Sequence, residues 1–274
     1  MTDIVSEVLP AEGDRSLKPL LERLWVRLLL KTTTLGLILL AWELYSKHVS
    51  PILAPGPGRV FDAARAMISS GEIFTATGQS LRVFAIGYIM ASVAGVIVGV
   101  IYGRVRLFSV ATEHVFNALY VTPQIALLPL MIIWFGLGNT AKIALIFLVS
   151  FFPVMFNTAD GMRQVSRGFV EVARSYGASE MQLLREVTFP SILPSVMTGL
   201  RLGAGRGLTG MVVAEIFTAI SGLGGIIVTS GNTLHTDRLI VPIFVLGIIG
   251  MTVIQGGFYL EKKLVGWKQT ERAF

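Results

Sequence analysis

The stretch that decides the fold runs from Glu171 to Pro190 and reads EVARSYGASEMQLLREVTFP. Gly177 stands where the C-terminus of a helix needs a residue in the left-handed conformation. Ser179, with Gln182 three positions later, forms a capping box that begins a second helix. We therefore predict a helix, a tight turn and a second helix, with Pro190 and Pro194 ending the second helix.

The first of these two helices has an apolar face. It consists of Val165, Phe169, Val172, Ala173 and Tyr176. Arg167, Glu171 and Arg174 lie off this face, at spacings of three and four residues that allow them to pair. An apolar face of this kind is exposed to solvent unless something covers it, which favours a partner protein. The alternative is a hairpin that packs on its own subunit without a partner.

Long apolar segments lie on both sides of this hairpin. A helix that crosses a bilayer needs about 20 mostly apolar residues. Six segments qualify or nearly qualify: 28–45, 83–103, 115–135, 141–159, 197–220 and 240–260. Lys31 and Glu43 lie near the ends of the first segment and can reach the interface, and Pro123 and Pro129 predict kinks in the third. The expected fold class is an all-α membrane protein with six transmembrane helices.

Composition supports a membrane protein and excludes several other classes. Of 274 residues, 53% are hydrophobic and 15% are charged, whereas a soluble domain carries about 25% charged residues. The absence of Cys excludes disulfides, zinc–thiolate sites and thiol nucleophiles. We attribute the net charge of +6 to basic residues that orient helices in the membrane, and expect no binding to nucleic acid.

The distribution of Lys and Arg predicts the orientation in the membrane. With the N-terminus in the cytoplasm, fifteen lie in cytoplasmic segments and six in external ones, while Arg201 and Arg206 lie within a span. Residues 1–14 contain four acidic residues, which is not typical of a cleavable signal peptide. We expect a cytoplasmic segment at 1–27, a transmembrane domain at 28–265 with the hairpin at about 160–196, and a cytoplasmic tail at 266–274.

The linker after the first span begins with a helix stop. Residues 54–58 are rich in Pro and Gly, and apolar residues then recur at helical spacing. This pattern predicts an amphipathic helix over 59–70 on the outer surface. A plain connector is the alternative.

The hairpin resembles the EAA loop in the permease subunits of binding-protein-dependent ABC importers. The family pattern is matched in register by Glu171, Ala173, Gly177, Val187, Phe189 and Pro190. Val172 departs from the Ala of the pattern. Three flanking segments, Trp134–Gly138, Ala214–Glu215 and Ser221–Gly224, are similar to the branch for nitrate, sulfonates, taurine and bicarbonate. The resemblance covers about residues 50–265 and implies a type I ABC importer permease (MetI-like) fold.

The resemblance also implies a coupling role for the hairpin. It would be a coupling helix that docks on a separate ATPase subunit and transmits its closure to the spans. The residues implied in this contact are Phe169, Glu171, Val172, Ala173, Arg174, Tyr176, Gly177, Val187, Phe189 and Pro190. The apolar face would be buried in the contact, with Glu171 and Arg174 supplying orienting charge at its rim.

The partners are implied in the same way. An importer of this family would contain two permeases, expected to be identical, two ATPases and a periplasmic or lipoprotein substrate-binding protein, in the bacterial cytoplasmic membrane. ATP and Mg²⁺ would be bound by the ATPase, because this chain has no Gly-Lys dipeptide and hence no Walker A loop. The chain itself is therefore not expected to be an enzyme. The solute would be a small anion of the nitrate, sulfonate, taurine or bicarbonate type, although close relatives carry thiamine precursors and aromatic acids.

Charged residues within the fifth span are candidates for the translocation pathway. Arg201 is about one turn from the cytoplasmic end and can reach the interface. Arg206 and Glu215 are roughly 13 Å apart along the axis, so each needs another partner. Arg206 either faces the pathway and attracts an anion, or caps carbonyls or forms a structural ion pair. Glu215, also a pathway candidate, is expected to fix the helix to the following Gly-rich loop.

The same span is rich in glycine. Glycines at 203, 205, 207 and 210 place small residues on several faces, which allows close helix packing. These glycines either line a seam between two permeases or make room beside the pathway.

Two other classes fit less well. A secondary transporter, or a channel subunit not driven by ATP, is the first alternative, but the chain lacks the two similar halves typical of many secondary transporters. A membrane enzyme is the second, and it would need catalytic side chains within the spans. The three histidines at 48, 114 and 235 have no plausible Ser or carboxylate partner there.

Overall fold

The computed structural model describes residues 24–50, 52–218 and 221–265, and every regular element in these ranges is a helix. The α-helices are α1 Leu24–His48, α2 Pro57–Ser69, α3 Glu72–Arg104, α4 Arg106–Val121, α5 Leu128–Phe135, α6 Asn139–Arg163, α7 Arg167–Ser175, α8 Glu180–Gln182, α9 Phe189–Thr218, α10 Gly222–Asn232 and α11 Thr236–Leu264. A short 3-10 helix covers Gln124–Leu127, and a π-helical segment covers Leu183–Thr188. The predicted terminal segments 1–27 and 266–274 lie outside the described residues, except for 24–27.

The chain divides into two compact units, residues 1–62 and 63–274. In the first unit, α1 has no buried residue in its apolar window, as expected for a helix that faces lipid. The chain then turns back, and the Trp42 indole Nε1 donates a hydrogen bond to the Pro55 carbonyl at 3.0 Å. The helix predicted over 59–70 is confirmed as α2, with Pro57 at its first position, where the missing N–H has no cost.

Helix α6 is the centre of the second unit, and α3 packs along one side of it. A small residue recurs every four positions on α3, at Gly87, Ala91, Gly95, Gly99 and Gly103. A Cβ atom added at Gly95 would lie 2.9 Å from Val154 Cβ, so the two backbones approach closely. The contacts advance in the same direction along both chains, from Gly87 against Ile146 to Gly103 against Met162, which makes α3 and α6 parallel.

Helix α9 packs on α6 in the opposite direction. Cβ atoms added at Gly203 and Gly210 would lie 2.9 Å from Val154 Cγ2 and 2.8 Å from Val149 Cγ2. These glycines therefore serve packing within one subunit, an arrangement that neither sequence-based interpretation included. A Cβ atom added at Gly205 would contact no other part of the described chain within 4 Å, so Gly205 does not take part in this packing.

The candidate membrane spans are four single helices and two bent pairs. The single helices are α1, α3, α6 and α11; the pairs are Arg106–Val121 with Gln124–Phe135, bent by 85°, and Glu180–Thr218 with Gly222–Asn232, bent by 46°. The count reaches the predicted six if each pair is one span. The third span is thus broken instead of kinked. Pro123 explains the break, since it forces the residue before it out of the helical region, and Thr122 has ψ 133°.

The prediction that Pro190 and Pro194 end the second hairpin helix is wrong. The helix continues through both residues, so the fifth span begins at Phe189 instead of 197 and is continuous with the hairpin. A proline lacks an N–H and its ring clashes with the carbonyl four residues back. For Pro190 this carbonyl belongs to Glu186, inside the π-helical segment, where the wider turn accommodates the ring.

Candidate functional site

The turn of the hairpin is built by local backbone and side-chain hydrogen bonds. Gly177 has φ +77°, and its N–H donates to the Arg174 carbonyl at 2.9 Å, while the Ala178 N–H donates to the Ala173 carbonyl at 3.1 Å. This pair of bonds is a Schellman motif. The Gln182 N–H donates to Ser179 Oγ at 3.3 Å, and the Ser179 N–H donates to Gln182 Oε1 at 2.8 Å. The predicted turn and capping box are therefore confirmed.

The apolar face of α7 is exposed. The exposed fractions of Phe169, Val172 and Tyr176 are 67%, 57% and 89%. Beside this face lies an open groove of about 390 Å³ between the two arms of the hairpin. It is lined by Phe169, Val172, Ala173, Glu186, Val187, Pro190 and Ser191. Nothing in the described chain covers this surface, which we call the hairpin face (Phe169, Val172, Tyr176).

The charged residues of α7 lie away from the hairpin face. Glu180 accepts hydrogen bonds from Arg174 Nη2 and from Arg104 Nη2, each at 2.8 Å. The expected pairing of Arg174 with Glu171 is thus replaced by a bridge to Glu180, which also joins the hairpin to the end of α3. Arg167, Glu171 and Arg174 line a cavity of about 470 Å³ on the opposite side of α7. Glu171 and Arg174 are therefore not at the rim of the hairpin face.

Arg201 is held by an ion pair within the bundle. Its Nη1 lies 2.6 Å from Glu261 Oε2, and its guanidinium lies 4.1 Å from the centroid of the Phe258 ring. Both partners are on α11. Arg201 therefore joins α9 to α11 instead of simply reaching the interface.

Arg206 has an aromatic partner. Its guanidinium lies 5.4 Å from the centroid of the Tyr120 ring, beside the break in the third span. The cavity at this break has a volume of about 360 Å³. We call it the Arg206 cavity; it is lined by Tyr120, Val121, Thr122, Pro123, Gln124, Ile125, Val149, Arg206 and Thr209.

Glu215 is buried, with 1% of its surface exposed, and it holds the first turn of α10. Its Oε2 accepts the Gly224 N–H at 3.0 Å, which is the contact with the Gly-rich segment that the sequence predicted. Ser80 Oγ donates to Glu215 Oε1 at 2.8 Å and accepts the Leu223 N–H at 2.9 Å. The Gly222 N–H, at the start of the same turn, donates to Gln79 Oε1 at 3.0 Å. Side chains from α3 and α9 thus satisfy donors that have no partner within α10.

The burial of Lys142 and its contact with Ser221 were not predicted from the sequence. This lysine was counted among the six basic residues of the external segments. The side chain is in fact buried, with 1% exposed, and Nζ donates to Ser221 Oγ at 3.0 Å. No local signal marks this contact, since Ser221 lies 79 positions away. Lys142 and Glu215 therefore hold the same end of α10.

We expect Gly222→Ala to destabilise this cluster. Gly222 has φ +85°, and a Cβ atom there would overlap the Glu215 carboxylate. Overpacking costs about 1–3 kcal/mol, and the strained backbone adds to it. Thermal unfolding of the purified protein measures the loss. Gly247→Ala is the matched control, because a Cβ atom added at Gly247 would contact no other part of the described chain within 4 Å. Equal unfolding temperatures for the two variants would contradict the assigned geometry.

The helical bundle, its charged residues and the exposed hairpin together indicate a class of membrane protein. A bundle of long apolar helices, with broken spans, charged residues inside the membrane and an exposed hairpin at one end, is typical of a transport subunit that works with a partner. Residues 91–264 match the family described as the binding-protein-dependent transport system inner membrane component. The chain belongs to this family and is a permease subunit of an ABC importer.

Curated relatives agree with this class. The taurine transport system permease protein TauC of Escherichia coli is 32% identical, over 85% of this chain and 88% of the relative. The riboflavin transport system permease protein RibX of Chloroflexus aurantiacus is also 32% identical, over 86% of this chain and 88% of the relative. Other matching permeases are named for nitrate and bicarbonate.

A solved structure shares the fold. The MetNI methionine ABC transporter, in inward-facing conformations, matches with a TM-score of 0.58 at 19% identity, over 68% of this chain and 92% of the matched chain. This confirms the expected MetI-like fold.

Proposed function

We propose that this permease moves a small anion across the membrane and takes its energy from an ATPase subunit that docks on the hairpin face. The exposed apolar surface of Phe169, Val172 and Tyr176 carries the proposal. It lies beside a groove that Glu186 and Ser191 also line, and the Schellman turn at Gly177 holds it in place. Because the hairpin continues into α9 through the π-helical segment, a displacement of the hairpin would move a spanning helix directly.

The orientation follows from charges at the two ends of the bundle. The hairpin end carries Arg104 at the end of α3, Arg163 at the end of α6, and Lys262 and Lys263 at the end of α11. This excess of basic residues favours the cytoplasm for the hairpin end. Both termini would then also be cytoplasmic, and α10 would face the outside.

The partners are those of a complete importer. We propose two copies of this permease and two ATPase subunits, which bind ATP and Mg²⁺, with a substrate-binding protein on the outer side. A single subunit encloses little of a pathway, and α4 exposes apolar residues along its length, among them Leu107 and Val110. A second copy, or lipid, covers such a surface in a membrane.

The proposed solute class rests on the charge inside the bundle. Arg206 is exposed on a spanning helix and is the first pathway candidate; its guanidinium contacts the Tyr120 ring. Glu215 remains a second candidate, although its contacts with Ser80 and Gly224 support a structural role. Relatives named for nitrate and bicarbonate agree with an anion, and taurine carries an anionic sulfonate group. The relative named for riboflavin indicates that the family is wider.

The source of energy is tested by uptake into proteoliposomes. The permease would be co-expressed with its ATPase subunit, purified as a complex and reconstituted with the cognate binding protein. We expect uptake of the solute that this binding protein captures to require ATP and to persist without an ion gradient. Uptake that is driven by a proton or sodium gradient in the absence of ATP would instead support the secondary transporter.

A further inference from the structure

The Arg206 cavity has the chemistry of an organic-anion site. We propose that it binds the oxyanion group of a short organic acid, such as a sulfonate or carboxylate, through Arg206 and Gln124, with the organic part against the apolar wall. The permease would then contribute its own recognition site, besides that of the binding protein. This inference rests on the proposed import of an anion and makes its chemistry more specific.

The charge of Arg206 is available to a ligand. The Arg201 guanidinium pairs with Glu261 at 2.6 Å, whereas no carboxylate of the described residues lies within ion-pair distance of Arg206. Its contact is the face of the Tyr120 ring, which leaves the N–H groups at the edge of the guanidinium free to form hydrogen bonds. An uncompensated charge in a spanning helix is costly, and a bound anion would compensate it.

The remaining polar groups of the cavity determine which atoms can bind an anion. The hydroxyls of Thr122 and Thr209 already donate to the carbonyls of Ala118 and Gly205, at 2.8 Å and 3.2 Å. The Gln124 side chain is nearly buried, and one amide hydrogen makes a long bond of 3.4 Å to the Leu119 carbonyl. The amide has a second hydrogen to donate. Arg206 and Gln124 therefore supply the N–H donors.

The apolar wall indicates an organic ligand rather than a bare inorganic anion. Val121, Pro123, Ile125 and Val149 line the cavity together with the Tyr120 ring. Its volume of about 360 Å³ falls in the range of small-molecule sites, roughly 300–1,000 Å³. Nitrate and bicarbonate each offer three oxygen atoms and have no apolar part, so they would leave this wall unused.

The experiment measures the binding of ethanesulfonate to the purified permease–ATPase complex without the binding protein. Thermal unfolding is followed while sodium ethanesulfonate, sodium nitrate or sodium chloride is added at equal ionic strength. We expect ethanesulfonate to raise the unfolding temperature of the wild-type complex more than the other two salts. The apparent affinity should fall roughly tenfold or more in Arg206→Gln, because a charge-assisted hydrogen bond is lost.

Three further variants make the result specific. Arg206→Lys should retain part of the shift, and Tyr120→Leu should reduce it by removing the ring that orients the guanidinium. Arg82→Gln should retain the full shift, since Arg82 is an exposed arginine of α3 outside the cavity. An equal shift in wild type and Arg206→Gln, or an equal shift for nitrate and ethanesulfonate, overturns the proposed site.

Failure of the proposed anion site and failure of the proposed function give different experimental results. A complex that assembles and imports with ATP, but shows no ethanesulfonate shift that depends on Arg206, overturns the cavity alone. Failure of the ATPase to associate, or uptake without ATP, overturns the proposed function.

Discussion

Val172→Asp is expected to detach the ATPase subunit from the purified complex and to abolish ATP-dependent uptake. Val172 lies in the middle of the hairpin face, between Phe169 and Tyr176, and is 57% exposed in the permease alone. In the complex this surface would be buried, and an unpaired buried carboxylate costs several kcal/mol. A loss of about 3 kcal/mol corresponds to a roughly hundredfold weaker association. Co-purification of the ATPase at a series of dilutions, together with uptake, measures the effect.

The matched control is Leu234→Asp, which introduces the same charge at an apolar residue of similar exposure, 63%, at the other end of the bundle. It should leave the association with the ATPase unchanged. If Val172→Asp retains the ATPase as well as Leu234→Asp does, the hairpin face is not the docking surface.

Glu215→Ala is expected to have the largest effect on stability. The change would leave the Gly224 N–H without its acceptor and the Ser80 hydroxyl without its carboxylate. It would also remove the negative charge that holds the same end of α10 as the Lys142 ammonium, which donates to Ser221. Removing one partner from a buried charged cluster costs about 3–5 kcal/mol. The loss would appear as a lower unfolding temperature and a lower yield of folded permease in detergent.

Two variants control for this result. Glu215→Gln keeps an acceptor for the Gly224 N–H and should be more stable than Glu215→Ala. Glu72→Gln breaks the ion pair with Arg238, in which both side chains are exposed to solvent. It should change the free energy of unfolding by no more than about 1 kcal/mol. A Glu215→Ala protein as stable as Glu72→Gln would show that the cluster contributes little.

The hairpin could be predicted because its signals are local. Gly177 and the pair Ser179 and Gln182 determine the turn through contacts within six residues, and the sequence displays them directly. The spans could be predicted because length and hydropathy alone constrain a helix in a bilayer. These signals located the long helices, though not where the bent ones break, and they missed α10, whose start was taken for a Gly-rich loop.

Most of the features that were missed depend on contacts between distant parts of the chain. Lys142 is buried only because Ser221 approaches it, and Glu180, the partner of Arg174, is also bound by Arg104 of α3, 76 positions away. Pro190 was taken as a helix end, since sequence rules treat a proline as a stop; the π-helical segment before it removes the clash. The glycines of α9 were assigned to other surfaces because the position of α6 was not known.

The central claim is that the hairpin face contacts the ATPase, and cysteine cross-linking tests it most directly. The chain contains no cysteine, so a single Tyr176→Cys variant places the only thiol of the permease on the hairpin face. After assembly with an ATPase that carries one surface cysteine in its cleft, a short bismaleimide should join the two subunits from Tyr176→Cys and not from Leu234→Cys. An assembled complex that gives no cross-link from Tyr176→Cys at any cleft position, or an equal yield from Leu234→Cys, would contradict the account.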